Sequence, residues 1–528
     1  MNEAVSPHPP IASRTLDSWT KSRWVTSTAI VLYIAGLKLL LHLFAANSYG
    51  YFRDELYYLA LADRKLSLGY VDLPPLLVII TKFIRSTIGD SQFAIRLFPA
   101  VCGALKILLA AAIAREMGGR AIARIVAALA TFSALVFWAL DHILSMNTLE
   151  ALLWPLCALI VLKIVNGADQ RWWLAFGVVA GLGILNKYSM IFFGLALVVG
   201  ILITPLRSSL LNRWFWIAGG IAALMALPNF IWQLQHHFPF LELMENIKRS
   251  GRDVALSPPA FVRQQLMIMN PATAPVWVAG LVWLFATRTG RTYRIVGIAF
   301  VVVYALMIAM HGKDYYLAPA YVMMFAAGGL AMEWAWRRLA GKVVVAAAGL
   351  LMIVSWMLIP LALPLLPVER FLAYKAAIGM TIQESEHHEQ NELGQFFADH
   401  FGWPEMAEQV AKAYNRIPPD LRKKTAIGTG NYGEAGAIDH FGRKYGLPAA
   451  ISGHQHYWMW GPGEYTGESI LLLGEDDPTD FQQACKQLTP MGQVGTRWSI
   501  PYEHWTIYWC RGLKHDLRQR WPEYKSWN

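Results

Sequence analysis

Between residues 25 and 366 the chain alternates long apolar runs with short polar breaks, and after residue 367 that rhythm stops. A helix needs about 20 apolar residues to cross the hydrocarbon core of a bilayer. Eleven runs approach or reach that length: 25–46, 94–114, 121–140, 144–165, 172–186, 188–205, 214–234, 272–287, 295–311, 316–335 and 343–366. The pattern predicts a polytopic α-helical membrane protein with about eleven transmembrane helices. The first run is too long and too far from the N-terminus for a signal peptide, and no small-residue cleavage site follows it, so it reads as a true span.

Two breaks are long. In 47–93, residues 54–66 and 74–88 carry apolar side chains at helical spacing with charges between them, which suits two helices lying in the interface plane. Gly69, Pro74 and Pro75 separate the two. The second break, 235–271, holds His236, His237, Glu242, Glu245, Lys248, Arg249, Arg252 and Arg263, with Trp232 and Phe238 as interfacial anchors. Residues 368–528 have ordinary soluble composition and read as an α/β domain. Expected there are a helix over 391–414, a strand over Thr425–Gly430, a helix over 433–445, strands near 448–452, 469–473 and 505–510, and a helix near 478–488. Residues 1–24 form a Pro/Ser-containing tail.

Composition agrees: 55% of the 528 residues are hydrophobic and 16% charged, against about 25% charged in soluble domains. Every second short loop is basic: Arg115, Arg120 and Arg124; Lys163 and Arg171; Arg207 and Arg213; Arg288, Arg291 and Arg294; Arg337, Arg338 and Lys342. Lys21 and Arg23 precede the first span on the same side. The positive-inside rule makes that side cytoplasmic. The 47–93 loop and residues 368–528 then face outward from the cell (inner) membrane. These loops account for most of the net charge of +10, which speaks for anionic head groups rather than nucleic acid. Cys102 and Cys157 fall inside spans as apolar filler. Cys485 and Cys510 lie in the outer domain, where an oxidising compartment permits a disulfide.

Candidate chemistry begins at the exit of the first span. Asp54 and Glu55 are adjacent carboxylates held near lipid head groups. A base placed there can serve a lipid-linked phosphate and a second substrate from the water phase. The flanking Tyr51, Phe52, Tyr57 and Tyr58 would equally suit an interface belt. Lys187 stands alone between two apolar runs, and Lys313 stands beside Tyr315 and Tyr316. Each lysine admits two readings, a snorkelling interface cation or a phosphate ligand. Arg96 reads as a structural anchor, and Arg249 and Arg252 as loop candidates for the phosphate. Gly428-Thr-Gly430-Asn-Tyr-Gly433 matches a dinucleotide fingerprint, but the acid required about 20 residues on is missing, so the glycines read as turn chemistry. His454 and His456 lack further ligands at metal spacing and read as surface polar residues. Beside Tyr457 and Trp458 they also suit an aromatic platform for a glycan.

Arg53-Asp54-Glu55-Leu-Tyr-Tyr-Leu-Ala, Gly69-Tyr70-Val-Asp72-Leu-Pro74-Pro75-Leu, Gly89-Asp90-Ser and Arg96-Leu-Phe-Pro together resemble the opening of the GT-C membrane glycosyltransferases. More narrowly they resemble family 39, with the protein O-mannosyltransferases and their relative, the aminoarabinose transferase of lipid A. Leu185-Asn186-Lys187-Tyr188-Ser189 and Gly312-Lys313-Asp314-Tyr315-Tyr316-Leu-Ala-Pro319 extend the likeness. In the outer domain, Asn431-Tyr-Gly-Glu434-Ala-Gly and Ser452-Gly-His-Gln-His-Tyr-Trp-Met-Trp460 are similar to bacterial members of unassigned acceptor.

The resemblance implies transfer of a sugar from a polyprenyl-phosphate carrier to a glycan, lipid or protein acceptor, with Asp54 as catalytic base. Glu55 would position Asp54, bind the acceptor or hold a divalent metal. Lys187, Lys313, Tyr315, Tyr316, Tyr57 and Arg249 would bind substrate. The chain departs from the family at Leu73, where many relatives have His or Lys, and at Ser145-Met146-Asn147-Thr148, where many have Thr-Pro-Asp. Asp141 and His142, just upstream, are the expected replacements. Span number alone also permits a transporter or flippase, but the notable charges sit at span ends and no internal repeat is visible.

Overall fold

The computed structural model describes residues 26–251, 255–379, 391–474 and 477–528. The N-terminal tail, with Lys21 and Arg23, and Arg252 lie outside the described residues. All eleven apolar runs are helical: α1 (Ser27–Ala45), α4 (Gln92–Glu116), α5 (Ala121–Ser133) with α6 (Val136–Leu140), α7 (Met146–Val165), α8 (Trp172–Asn186), α9 (Met190–Leu202), α10 (Arg213–Gln235), α13 (Ala274–Ala286), α14 (Arg294–Ala309), α15 (Ala318–Ala335) and α16 (Leu339–Val354). Among the described residues six stretches are long and apolar enough to cross a bilayer without a sharp bend. Two further stretches pass only as bent pairs: α9 turns by 106° into Pro205–Leu211, and α12 (Pro258–Ile268) by 90° into Pro271–Ala286. Proline opens the second half of each pair, where it cannot continue the preceding helix.

α15 is the centre of the bundle, with Tyr321 to Ala327 all buried. A methyl group on Gly280 of α13 would lie 2.5 Å from backbone atoms of Met324 and Gly328. The two helices therefore meet backbone to backbone, the close packing that small residues allow in lipid. Outward faces carry exposed apolar side chains such as Leu40, Phe44, Leu224 and Leu350, as lipid contact requires.

The basic loops gather at one end of the bundle, where Lys163 pairs with Glu116 (3.1 Å) and Arg294 reaches the Ile203 carbonyl (3.2 Å). At the other end lie the two expected interfacial helices, α2 (Arg53–Asp63) and α3 (Leu76–Thr87), and a short amphipathic helix, α11 (Pro239–Ser250).

Residues 391–528 form a five-stranded mixed sheet of order β2-β1-β3-β5-β4. Its strands are β1 (Thr425–Thr429), β2 (Ile451–Ser452), β3 (Ser469–Leu472), β4 (Cys485–Gln493) and β5 (Thr506–Leu513). β1 runs parallel to β2 and β3, and β5 runs antiparallel to β3 and β4. A disulfide joins Cys485 to Cys510 between β4 and β5. Two expectations change. The 391–414 helix shrinks to α17 (Trp403–Asn415), because Gly402 (φ 93°) breaks it. The 478–488 helix ends at Ala484, and its remainder starts β4, a largely exposed edge strand. Pro490, tolerated at a sheet edge, hid that strand from the sequence pattern.

The sheet unit is seated directly on α2. Leu56, Tyr58 and Ile95 share one apolar core with Trp403, Ala435, Ile438 and Tyr457. α18 (Tyr432–Phe441) makes the contact: a methyl on Gly436 would lie 2.8 Å from the Leu56 carbonyl carbon, and one on Gly433 would lie 2.4 Å from Arg53 Cγ. Neither glycine has positive φ. The turn reading of Gly430 and Gly433 is thus replaced by close approach, at Gly430 to Gly474 and at Gly433 to α2.

Candidate active site

α2 begins with the two carboxylates, and the fold gives them opposite tasks. Glu55 is fully buried. Its carboxylate accepts backbone N–H groups from Phe52 and Leu144, both at 2.9 Å, and the Arg96 guanidinium through Nε (3.2 Å) and Nη2 (2.9 Å). Arg96 in turn donates to the carbonyls of Ala46 (3.0 Å) and Gly50 (2.7 Å). Glu55 therefore caps its own helix and ties α4, the 46–50 loop and residue 144 together. Its oxygens are occupied by donors, which leaves positioning, of the three roles open to it, as the one this geometry serves. Arg96 is the anchor expected.

Asp54 points the other way, half-buried, toward the sheet unit. Tyr432, first residue of α18, donates its hydroxyl to Asp54 Oδ1 at 2.8 Å. The positive end of the α2 dipole favours the ionised carboxylate there. Tyr432 is held by stacking on His454 (5.0 Å) and by the Tyr57 ring (4.7 Å). Its own backbone N–H reaches His454 Nδ1 (3.1 Å).

Asp72, on the loop between α2 and α3, is a second acid within electrostatic reach of Asp54. It accepts the Tyr57 hydroxyl at 2.9 Å. Burial, with the Asp54 charge adding to it, pushes the Asp72 carboxyl up to about 7. Tyr57, expected to touch substrate, is buried, and its hydroxyl is shared between Asp72 and the His456 N–H (3.3 Å). Tyr58 lies within electrostatic reach of Asp54, Asp72 and Tyr316.

Lys187 sits at the extended break between α8 and α9. Its ammonium donates to Asn147 Oδ1 (2.7 Å), pairs with Glu150 (3.0 Å) and lies 3.9 Å above the Tyr316 ring. Ser189 also donates to Glu150. Glu150, one turn into α7, is thus the carboxylate that accompanies the Asn147 substitution. Asp141 and His142 do not join the cluster. Asp141 is buried among the helices between Lys38 (3.2 Å) and Lys106 (2.7 Å). His142 is buried near His400, 5.8 Å between ring centroids. Both lie behind Glu55, in the interior of the bundle.

Tyr315 stands at right angles to Tyr316 (5.0 Å). Lys313 caps the same short turn, Asp314–Leu317, whose Asp314 carbonyl accepts Gln265 Nε2 at 2.8 Å. Arg249 pairs with Glu245 one turn away on α11 and is 71% exposed. His454 and His456 are not surface residues. Both are buried at the seam, with His456 between Tyr70 (4.7 Å) and Trp460 (5.3 Å), and burial pushes its imidazole down to about 3.

Below Tyr432, Asn431 bridges Glu434 (2.9 Å) and Glu503 (3.0 Å). Burial lifts Glu434 to about 7, and burial together with Glu434 raises Glu503 further, so the pair holds a proton at neutral pH. Among the described residues no three His, Cys, Asp or Glu side chains meet in a metal-holding group.

A family model for dolichyl-phosphate-mannose-protein mannosyltransferases matches residues 72–232, a stretch that holds Asp72, Asn147, Glu150 and Lys187 but not Asp54. No curated protein matches the sequence. Among solved structures, ArnT from Cupriavidus metallidurans bound to undecaprenyl phosphate superposes with a TM-score of 0.60 at 15% identity, over 91% of this chain and 98% of that one. Its apo form gives 0.58 at 16% identity, over 91% and 98%. The Archaeoglobus fulgidus oligosaccharyltransferase tethered with an acceptor peptide gives 0.51 at 12% identity, over 82% of this chain and 64% of that one. The chain is a multi-pass membrane protein with the fold of the GT-C glycosyltransferases, as the motifs at 51–99 led one to expect.

Proposed function

We propose that the protein is an inverting glycosyltransferase that takes a sugar from a polyprenyl-phosphate carrier, with Asp54 as base. One observation carries the reading: a half-buried carboxylate at a helix N-terminus, fixed by Tyr432, at the end of the bundle opposite the basic loops. The acceptor O–H or N–H attacks the anomeric carbon from the Asp54 side. Its proton passes to Asp54, the bond from that carbon to the phosphate oxygen breaks, and the electron pair leaves with the polyprenyl phosphate. Lys187, turned over Tyr316 and steadied by Asn147 and Glu150, compensates the charge that develops on the departing phosphate. Asp72, whose carboxyl is pushed up to about 7, adds no negative charge below neutrality. Undecaprenyl phosphate on the similarly folded ArnT supports this class of donor.

The active face is extracytoplasmic in the inner membrane. The basic loops at the opposite end and the Cys485–Cys510 disulfide support that side. Residues 368–528 form its outer domain and, through the half-buried Trp458 and Trp460, help seat the acceptor.

The test is transfer by purified protein in lipid. Asp54→Asn should abolish transfer from a polyprenyl-phosphate sugar while the protein still inserts, and full retained activity overturns the base assignment. Consumption of a nucleotide sugar instead of the lipid-linked one overturns the donor.

A further inference from the structure

At the basic end of the bundle, far from Asp54 in the fold, α9 does not continue to the membrane surface but bends by 106° into the Pro205–Leu211 turn. The bend opens a cavity of about 770 Å³ between that turn, the end of α7 and the start of α14. Its polar lining includes Arg288, Arg291, Arg294, Ser208, Ser209 and Asn212, and no carboxylate is among its lining residues. Among the described residues none of the three arginines enters an ion pair. Arg291 Nε and Arg294 Nη2 donate to the carbonyls of Phe285 and Ile203, both at 3.2 Å, and Arg294 Nε is buried without a partner. These bonds aim the guanidinium groups but do not neutralise them.

Guanidinium groups with hydroxyls and amides beside them match the oxygens of a phosphate ester, which arginine binds through several N–H groups at once. The rim is apolar. Leu202, Ile203 and Phe285 are exposed beside the cavity, and Leu211 protrudes at 92% exposure. A soluble anion has no use for such a rim, whereas the acyl chains of a lipid do. The positive-inside rule explains basic loops in general, but it does not require three of these arginines to share one acid-free hollow beside exposed leucines. Basic hollows between helices on this side are suited to phospholipid head groups.

We propose that this cavity is a binding site for the phosphate head group of an anionic membrane phospholipid, separate from the transfer site. Arg288 and Arg291 hold the phosphate near the opening, and Arg294 reaches it from the wall. The chains lie along Leu202, Ile203 and Leu211.

The experiment is thermal unfolding of the full-length protein in detergent, followed by tryptophan fluorescence. Phosphatidylglycerol, phosphatidylcholine or inorganic phosphate is added to each sample. Phosphatidylglycerol should raise the midpoint by several degrees and phosphatidylcholine should not. The exposed double variant Arg288→Gln/Arg291→Gln should lose most of that rise while unfolding normally without lipid. Arg337→Gln/Arg338→Gln removes the same charge from the same end, outside the cavity, and should keep the rise. Equal loss in both double variants, or no rise in the unaltered protein, overturns the site. An equal rise with inorganic phosphate overturns the lipid assignment.

Discussion

The Tyr432 hydroxyl donates to Asp54 across the seam between the sheet unit and the membrane bundle, at 2.8 Å over a sequence separation of 378 residues. The proposed base is thus oriented by a residue from another part of the fold. The geometry of Asp54 depends on how the sheet unit is seated.

Tyr432→Phe keeps the ring stacked on His454 and removes only the hydroxyl. A hydrogen bond to a charged group is worth about 1.5–3 kcal/mol, and part of it is spent here on orientation. The variant should turn over about tenfold more slowly, at little change in KM for the lipid-linked donor. Losing a bond to the ionised form raises a carboxyl pKa. The acidic limb of the pH–rate profile should therefore move to higher pH. A profile that falls in height without moving would mean that the hydroxyl serves packing alone.

Glu55 and Arg96 should behave as one structural unit. Both are buried, and removing either leaves a charge without its partner, at a cost of about 3–5 kcal/mol. Glu55→Gln and Arg96→Gln should each lower the unfolding midpoint in detergent by about 3–5 °C. The double replacement Glu55→Leu/Arg96→Leu should recover part of that loss, since no unpaired charge remains. A Glu55→Gln protein that is fully stable but inactive would instead place Glu55 in the chemistry.

Much of this arrangement was legible from residues alone. The eleven apolar runs, the two interfacial helices after the first span and the Asp54–Glu55 pair are local signals, set by periodicity and spacing. The site was less legible, because its partners come together only through the seam. Asp72 and Tyr432 sat inside quoted motifs without a role, since nothing near them in sequence tells that they face Asp54. Glu150 carried a usable signal, an acid three residues after Asn147 at the start of an apolar run, where carboxylates are costly. Asp141 lies six residues before Asn147. A turn of helix rotates it inward to Lys38 and Lys106, two cations buried in spans that were read as apolar throughout.

The close approach of α18 to α2 makes Gly436 a sensitive position. A methyl there meets the Leu56 backbone at 2.8 Å, and neither backbone can give way alone. Gly436→Ala should loosen the seam, expose the α2 face to protease and lower transfer at least tenfold, with the Cys485–Cys510 disulfide intact. Gly349→Ala is the control. It sits mid-helix with nothing within 4 Å, so it should leave transfer unchanged and stabilise by about 0.5–1 kcal/mol. Equal behaviour of the two variants would show that the seam does not govern the site.

Asp72 sets a pH dependence whose sign follows from its neighbours. Its carboxyl is raised from an ordinary value of 3.8 to about 7, first by burial and then by Asp54. In the folded protein it holds its proton below pH 7, when the unfolded chain has already lost it. The fold thus binds more protons across this window, and stability falls as pH rises from about 4 through 7. Activity should follow the same group. Below pH 7 Asp72 is protonated; above it, Asp72 adds a negative charge beside Asp54, which repels the departing phosphate. Transfer should therefore decline as pH rises through 7. Asp72→Asn removes the second charge while still accepting the Tyr57 hydroxyl through its amide oxygen. In that variant the decline near pH 7 should disappear and the midpoint of unfolding should vary less between pH 5 and 8. Glu434 titrates in the same range, so Glu434→Gln is the comparison. If it flattens the rate profile and Asp72→Asn does not, the controlling proton belongs to the Glu434–Glu503 pair.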